Sequence, residues 1–357
     1  VKPSIFWLLA FIPITLVLEH TDAPAPCVFF SAALAIVPIA SLIVRATEQL
    51  ANYTGEAVGG LLNATFGNAP ELIIALVALK AGLLDMVRAS LAGAILANLL
   101  LALGLAFLLG GLRLHRQTYN ASAARLYSSM MLLAVISLMV PSAFNRFFAA
   151  QETVRAETLL NVGLAVVLLA AYVLYLVFML KTHPDEFTGE PGGNELHEGP
   201  RWSLGRAIGG LIVASLLAAW MSEILVGAAE GTGKALGMSQ VFIGIVFLAI
   251  VGGAAESSSA IAMARRNKMD LTVGIALGSC IQIALFVAPV LVLASHLIAP
   301  EPLELAFTRP EIGSLFMAVL IGTVVASDGR SNWYKGVQLI AVYLIIALMF
   351  YFIPTSE

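Results

Sequence analysis

Residues 67–75 read Gly67-Asn68-Ala69-Pro70-Glu71-Leu72-Ile73-Ile74-Ala75, and residues 252–260 answer them with Gly252-Gly253-Ala254-Ala255-Glu256-Ser257-Ser258-Ser259-Ala260. Each copy sets a glutamate four residues after a glycine. The surroundings correspond as well. Glu48 lies 23 residues before Glu71 and Glu230 lies 26 before Glu256; Asn98 follows Glu71 by 27 and Gln282 follows Glu256 by 26. Such self-similarity marks an internal repeat, and its reading decides the fold.

Both copies sit in strongly apolar sequence. Of 357 residues, 60% are hydrophobic and 11% charged, and the mean hydropathy is +0.94. A soluble domain carries roughly 25% charged residues, so a soluble enzyme, a nucleic-acid binder and a disordered chain are excluded. Apolar runs predict eleven spans, near 4–19, 26–50, 55–80, 86–111, 123–141, 157–181, 203–229, 240–265, 270–298, 310–327 and 334–354. At about 20 residues each, these spans use roughly 220 residues and leave no room for a large soluble domain. No small-x-small cleavage site follows the first run cleanly, so it reads as a helix rather than a signal peptide. The fold class expected is an all-α integral membrane protein with two inverted five-helix repeats and one extra N-terminal helix.

The cationic residues support this alternation. Thirteen of the 19 Lys and Arg residues, among them Lys2, Arg45, Arg113, Arg265 and Lys335, fall on the side of the N-terminus. Cytoplasmic loops are enriched in Lys and Arg, which predicts the N-terminus inside and the C-terminus outside. The expected organisation is an extra helix at 1–20, a first repeat at 26–181, an acidic cytoplasmic linker at 182–202 and a second repeat at 203–357. The linker, with Asp185, Glu186, Glu190, Glu195 and Glu198 beside His183 and His197, reads either as a solvated hinge or as a cation-sensing loop. Cys27 and Cys280 lie in apolar surroundings and read as small core residues or, less simply, as a disulfide; their spacing suggests no metal site.

Glu71 falls in the third span and Glu256 in the eighth. Five is odd, so the second copy enters the bilayer from the opposite face. Both glutamates come near the midplane, where secondary transporters place their substrate at the interface of such repeats. A carboxylate at that depth costs from about 2.5 kcal/mol upward and needs a partner or a function. Pro70 lacks an N–H and clashes with the Phe66 carbonyl, and Gly67 loosens the same turn; Gly252 and Gly253 weaken the second copy. Carbonyls freed there are oxygen ligands, tolerated at this depth where they line a cavity. Asn68, Asn98 and Gln282 add amide oxygens, and Ser257 and Ser279 hydroxyls. An oxygen-only set suits a hard cation such as Ca²⁺. Two carboxylates neutralise one divalent cation or two protons, but not both. Burial favours the protonated form of a carboxyl and an approaching cation the ionised one. That competition is what an antiporter requires, and Na⁺ as counter-ion stays open. Glu48 and Glu230, nearer their helix ends, ring an access path or are ordinary interfacial charges; Glu223 reads the same way.

At these residues the chain resembles the calcium/proton antiporter family of the calcium/cation exchanger superfamily. The resemblance rests on Gly59-Gly60-Leu61-Leu62-Asn63-Ala64-Thr65-Phe66 running into Gly67–Ala75, and on Asn267-Lys268-Met269-Asp270-Leu271 leading to Gly278-Ser279-Cys280-Ile281-Gln282-Ile283-Ala284-Leu285-Phe286-Val287-Ala288-Pro289. It implies a ten-helix inverted-repeat core, Ca²⁺ held between Glu71 and Glu256 and exchanged for protons, help from Asn68 and nearby carbonyls, and Asn98 and Gln282 along the pathway. Spans 2 and 7 would slide as a gating bundle. Two positions depart from the family: Gly253 stands where it has Asn, and Ser257 where it has a His that titrates near neutral pH.

The leading expectation is a Ca²⁺/H⁺ antiporter with Ca²⁺ and H⁺ as substrates, no cofactor and no covalent chemistry. A sodium/calcium exchanger, or a proton-coupled exchanger of another divalent cation such as Mn²⁺, is the near alternative. A cation channel is the remote one, because a channel's acidic ring needs repeats around the pore axis. Neither His-Glu-x-x-His nor Gly-x-Ser-x-Gly occurs, which sets aside a hydrolase. Partners expected are the lipid bilayer and, compatibly, a second copy of the chain in a homo-oligomer, with no nucleic acid. The compact ends fit a prokaryotic plasma membrane.

Overall fold

The computed structural model describes residues 4–54, 56–148, 154–186 and 201–353. Its helices are α1 (Ile5–His20), α2 (Ala25–Thr54), α3 (Glu56–Phe66), α4 (Ala69–Lys80), α5 (Leu84–Leu114), α6 (Ala121–Phe148), α7 (Val154–Val177), α8 (Leu204–Leu236), α9 (Gln240–Gly252), α10 (Ala254–Arg265), α11 (Met269–Ile298), α12 (Arg309–Ala326) and α13 (Trp333–Phe352). A two-residue antiparallel pairing, β1 (Gln117–Thr118) with β2 (Arg330–Ser331), ties the end of α5 to the start of α13.

Helix lies at every position where a span was expected. Among the described residues, however, eight helices are long and apolar enough to cross a bilayer, or nine if α9 and α10, bent by 56°, form one span. The expected eleven is therefore not reached, for two physical reasons. The third span is split at Gly67-Asn68 into α3 and α4, pieces of 11 and 12 residues. The first, α1, is a short apolar helix that begins in a tight 3₁₀ turn. Residues 187–200 of the acidic linker, with Glu190, Glu195, His197 and Glu198, lie outside the described residues, as does Lys2; so do the side chains of Arg146, Arg155 and Asp185.

The ends of the helices follow local chemistry. Ser203, Ser239 and Asn332 cap α8, α9 and α13 by accepting backbone N–H bonds. Thr308 and Glu311 form a reciprocal capping box at α12, and Gly237 stops α8 at φ 66°, a conformation that costs glycine least.

Two helices form the centre. In the apolar window of α5, 83% of residues are buried, and in that of α11, 78%, against 28% in α13. α5 carries Asn98 and α11 carries Gln282, so the most enclosed helices bring the amides. Both contain a π-helical segment, Ala97–Ala102 and Ile283–Val287, a feature common near functional sites. α5 crosses α9 backbone to backbone: a β-carbon on Gly93 would lie 2.2 Å from the Ile245 carbonyl oxygen, and one on Gly244 2.8 Å from that of Met86. Only glycine permits this approach.

α2 lies along α8 as an outer pair. Trp202 fastens the chain entering α8 to the end of α2. Its N–H donates to Gln49 Oε1 at 2.9 Å, its carbonyl accepts from the Tyr53 hydroxyl, and its ring lies between the guanidinium groups of Arg45 (5.3 Å) and Arg206 (4.8 Å). Both cysteines are free; Cys280 is buried in α11, but Cys27 is exposed at the start of α2, so it is no core residue.

Candidate functional site

Glu71 and Glu256 occupy equivalent places, each the third residue of a helix that begins at a helix break. The residues before those helices share one backbone conformation: Asn68 at φ −93°, ψ 21° and Gly253 at φ −77°, ψ 8°. This is the sparsely populated bridge region, frequent among active-site residues. Pro70 suits the first turn of α4, where its missing N–H leaves nothing unpaired. Each glutamate thus sits at a helix N-terminus, whose dipole favours negative charge.

The two breaks cross, each lying over the other's glutamate. A β-carbon on Gly67 would stand 3.7 Å from both Glu256 Oε1 and Gln282 Oε1, and one on Gly252 would stand 2.9 Å from Glu71 Cγ. The Asn68 amide donates to Gln282 Oε1, and the Ser279 hydroxyl bonds the Glu256 carboxylate. Asn68, Asn98, Ser279 and Glu256 are all less than a tenth exposed. Four oxygens here are buried without a hydrogen-bond partner: both of Glu71, Glu256 Oε2 and Asn68 Oδ1; the Asn98 amide nitrogen is also unpartnered. Buried polar groups are nearly always hydrogen-bonded, and an uncompensated buried charge costs several kcal/mol. A cluster of orphan oxygens is a site that awaits positive charge.

Access is one-sided. A cavity of about 290 Å³ reaches Glu256 and is lined by Glu48, Gly67, Tyr127, Tyr175, Asp270, Gly274, Gly278, Ser279 and Gln282, among others. Glu71 faces a void of only about 10 Å³, walled by Ile74, Ala75, Ser90, Leu91, Ala94, Leu248, Ala249, Ile283 and Val287, roughly the room of one water.

The remaining expected residues divide. Glu48 joins the Glu256 cavity. Glu230 does not: it bonds Lys234 at 2.7 Å and lines a separate surface cleft with Lys80 and Glu223, which are 3.7 Å apart. The Phe66 ring is exposed, so that residue can offer only its carbonyl. Ser257 is half-buried and lines neither cavity. Among the described residues no group of three or more His, Cys, Asp or Glu is arranged to hold a metal. Sequence reading passed over Asp270, Tyr127 and Tyr175. The signal for Asp270 was present, because Asp270, Gly274, Gly278 and Gln282 recur at every fourth residue and so share one face of α11.

Comparison with known proteins places this geometry. The pattern of the sodium/calcium exchanger protein family matches residues 24–181 and 206–352. A protein named Ca²⁺/H⁺ antiporter from Aphanothece halophytica is 40% identical over 370 residues, spanning 99% of this chain and 98% of its own. One of the same name from Synechocystis is 42% identical over 372 residues, spanning 99% of each. The solved structure of native YfkE matches at a TM-score of 0.84 and 38% identity, over 98% of this chain and 100% of that one. The chain, a multi-pass membrane protein, belongs to the sodium/calcium exchanger protein family.

Proposed function

We propose that the protein is a Ca²⁺/H⁺ antiporter in which Glu71 and Glu256 bind either one Ca²⁺ or protons, and in which alternating access carries each across the bilayer. The observation that supports this most is the group of four buried, unpartnered oxygens contributed by Glu71, Glu256 and Asn68. Ca²⁺ takes six to eight oxygens in flexible geometry, and backbone carbonyls at the two breaks extend the set. Protonation satisfies the same carboxylates when the cation leaves, so one ion's departure prepares the site for the other. The names carried by the relatives agree with this reading.

The path follows from the asymmetry of the cavities. Ca²⁺ enters past Glu48 and Asp270 to Glu256, while Glu71 is closed off by Ile74, Leu91 and Leu248. With the N-terminus inside, this is the cytoplasm-facing state. The outer pair α2 and α8 touches both halves of the site: α2 contributes Glu48 to the open cavity, and α8 meets α4 through Lys80 and Glu223. Sliding this pair would close the first and open the second. Residues 26–181 and 203–357 are then two repeats of opposite topology, with 182–202 as the linker between them.

The test is Ca²⁺ uptake into proteoliposomes under an imposed pH gradient without Na⁺, with wild type beside Glu71→Gln and Glu256→Gln. Gradient-driven uptake that both substitutions abolish is the expected result. Uptake that requires a Na⁺ gradient would make the protein a sodium/calcium exchanger. Transport of Mn²⁺ with no Ca²⁺ uptake would replace the substrate.

A further inference from the structure

The walls around the two glutamates can be matched residue by residue, because each draws on the glutamate's own helix and on the helix that leads into the opposing break. Ile74 lies three residues beyond Glu71 on α4, and Ser259 three beyond Glu256 on α10. Leu248 of α9 lies eight residues before Glu256 and walls the void at Glu71; Asn63 of α3 lies eight before Glu71 and lines the cavity at Glu256. Leu91 and Ile275, each seven residues before the amide of its helix, are apolar on both sides. The two walls therefore differ in kind at two mirrored positions: Ile74 and Leu248 are apolar and buried, whereas Ser259 and Asn63 carry oxygen.

Both oxygen-bearing residues stand on the way to Glu256. Ser259 is half-buried and, at i+3, shares the face of Glu256 with about 5–6 Å between β-carbons. The Thr272 hydroxyl donates to the carbonyl of the next residue, Ala260, at 3.2 Å. Ser259 is thereby level with the Asp270 end of α11, while Glu256 is level with Ser279, which bonds it. From the other side, the Asn63 carbonyl accepts the Gly67 N–H at 2.8 Å, and a β-carbon on Gly67 would stand 3.7 Å from Glu256 Oε1. Asn63 is thus one turn of α3 from the residue that covers Glu256.

We propose that Asn63 and Ser259 are specificity-determining residues of the route to Glu256: their side-chain oxygens replace waters of the cation's hydration shell before it reaches the glutamate pair. The inference rests on the reading of Glu71 and Glu256 as the cation site. Ca²⁺ keeps six to eight oxygens around it, so its waters leave as other oxygens take their place. An amide and a hydroxyl supply such oxygens; the leucine and isoleucine at the mirrored positions do not.

The experiment measures uptake of Ca²⁺ and, separately, of Sr²⁺ into proteoliposomes under an imposed pH gradient. Wild type is compared with Asn63→Leu, Ser259→Ala and Ser259→Thr, with Glu71→Gln and Glu256→Gln in parallel, and gel filtration of each purified variant reports folding. Asn63→Leu and Ser259→Ala are each expected to lower kcat/KM for Ca²⁺ about 10-fold, the scale of one lost contact between a polar group and a charge. For Sr²⁺, a larger ion that holds its water less tightly, the loss is expected to be about 2–3-fold, so the Ca²⁺ to Sr²⁺ ratio falls. Ser259→Thr keeps the hydroxyl and should stay within about 2-fold of wild type for both ions. An unchanged kcat/KM for Ca²⁺ in either Asn63→Leu or Ser259→Ala overturns the inference. So does an equal loss for Ca²⁺ and Sr²⁺, which marks obstruction or altered packing instead of lost oxygens. Should Asn63→Leu fail to fold, Ser259→Ala and Ser259→Thr decide the matter. Exchange that survives Glu71→Gln and Glu256→Gln instead removes the site reading on which the inference stands.

Discussion

The two glutamates are set on matching breaks, yet one faces an open cavity and the other a closed one, and the difference is written along α5 and α11. On α11 the stripe leading to Gln282 is Asp270, Gly274 and Gly278, and all four line the wide cavity. On α5 the positions at the same spacing before Asn98 are Met86, Ser90 and Ala94. Of these, Ser90 and Ala94 wall the narrow void, while Met86 is fully buried in the apolar core. Glycine leaves volume open; methionine and alanine fill it themselves. A shared backbone architecture thus fixes where charge sits, and side-chain volume fixes which side reaches it.

The largest effect should come from filling the open side. Nothing lies within 4 Å of a β-carbon on Gly278, and the residue lines the wide cavity, so Gly278→Leu projects into that cavity and obstructs the route from Asp270 to Glu256. Ca²⁺ uptake should fall by about 100-fold, as near-complete loss of a sterically gated path, with thermal stability of the purified protein unchanged or higher, since added apolar surface is buried. The counterpart Ala94→Leu has no such room, at 3% exposure, and should instead lower stability by about 1–3 kcal/mol through overpacking. Equal thermal shifts for the pair would break the comparison.

Next is the contact that positions Glu71. A methyl group on Gly252 would stand 2.9 Å from Glu71 Cγ, too close for a packed pair. Gly252→Ala should displace the carboxylate and cut transport about 10-fold, because a shift of around 1 Å in a positioned group has effects of this order or larger. Initial rates across a range of Ca²⁺ concentrations would check it.

A smaller effect separates the two amides. Gln282→Leu removes the acceptor of the Asn68 amide and leaves that buried donor unpaired, which costs about 1–3 kcal/mol. The Asn98 amide nitrogen already lacks a protein partner, so Asn98→Leu strands less and should unfold at the higher temperature of the two. The reverse order in a thermal melt would contradict the asymmetry.

Much of the site was legible in the sequence because the repeat doubles every signal. A lone Glu71 in an apolar run is ambiguous, but Glu71 and Glu256 with matched breaks and matched amides are not. The helix positions were legible because an apolar run of span length has one stable form in a bilayer. The number of continuous spans was not, since Gly67-Asn68 marks a weakness without saying whether the helix bends or divides. The narrow side was not legible either: Ile74, Leu91 and Leu248 look like any residue that faces lipid, and only packing shows that they wall the void at Glu71. Symmetry did not decide between the two readings of Glu230, since its match to Glu48 in spacing does not extend to its surroundings. Asp270 was passed over although its register with Gln282 could be read directly.

Asp270 gives the finest test of the comparison. It lines the cavity, and its Oδ1 accepts the Asn120 N–H at 2.6 Å, a bond that an asparagine oxygen retains. Asp270→Asn therefore removes charge and leaves the loop tied. A negative charge at a cavity mouth concentrates cations by long-range attraction, and that attraction is screened over a Debye length of about 8 Å at physiological ionic strength. Uptake at low Ca²⁺ should drop about 2–3-fold at low salt, a modest case of electrostatic steering, and the deficit should vanish at high salt. Met86→Asp, which puts the same charge on the mirrored helix, is no equivalent: Met86 is fully buried, so the substitution buries an uncompensated charge and should unfold the protein rather than attract an ion. A salt-independent deficit in Asp270→Asn would assign Asp270 to direct coordination and move the cation's first contact from Glu256 outward to the mouth of the cavity.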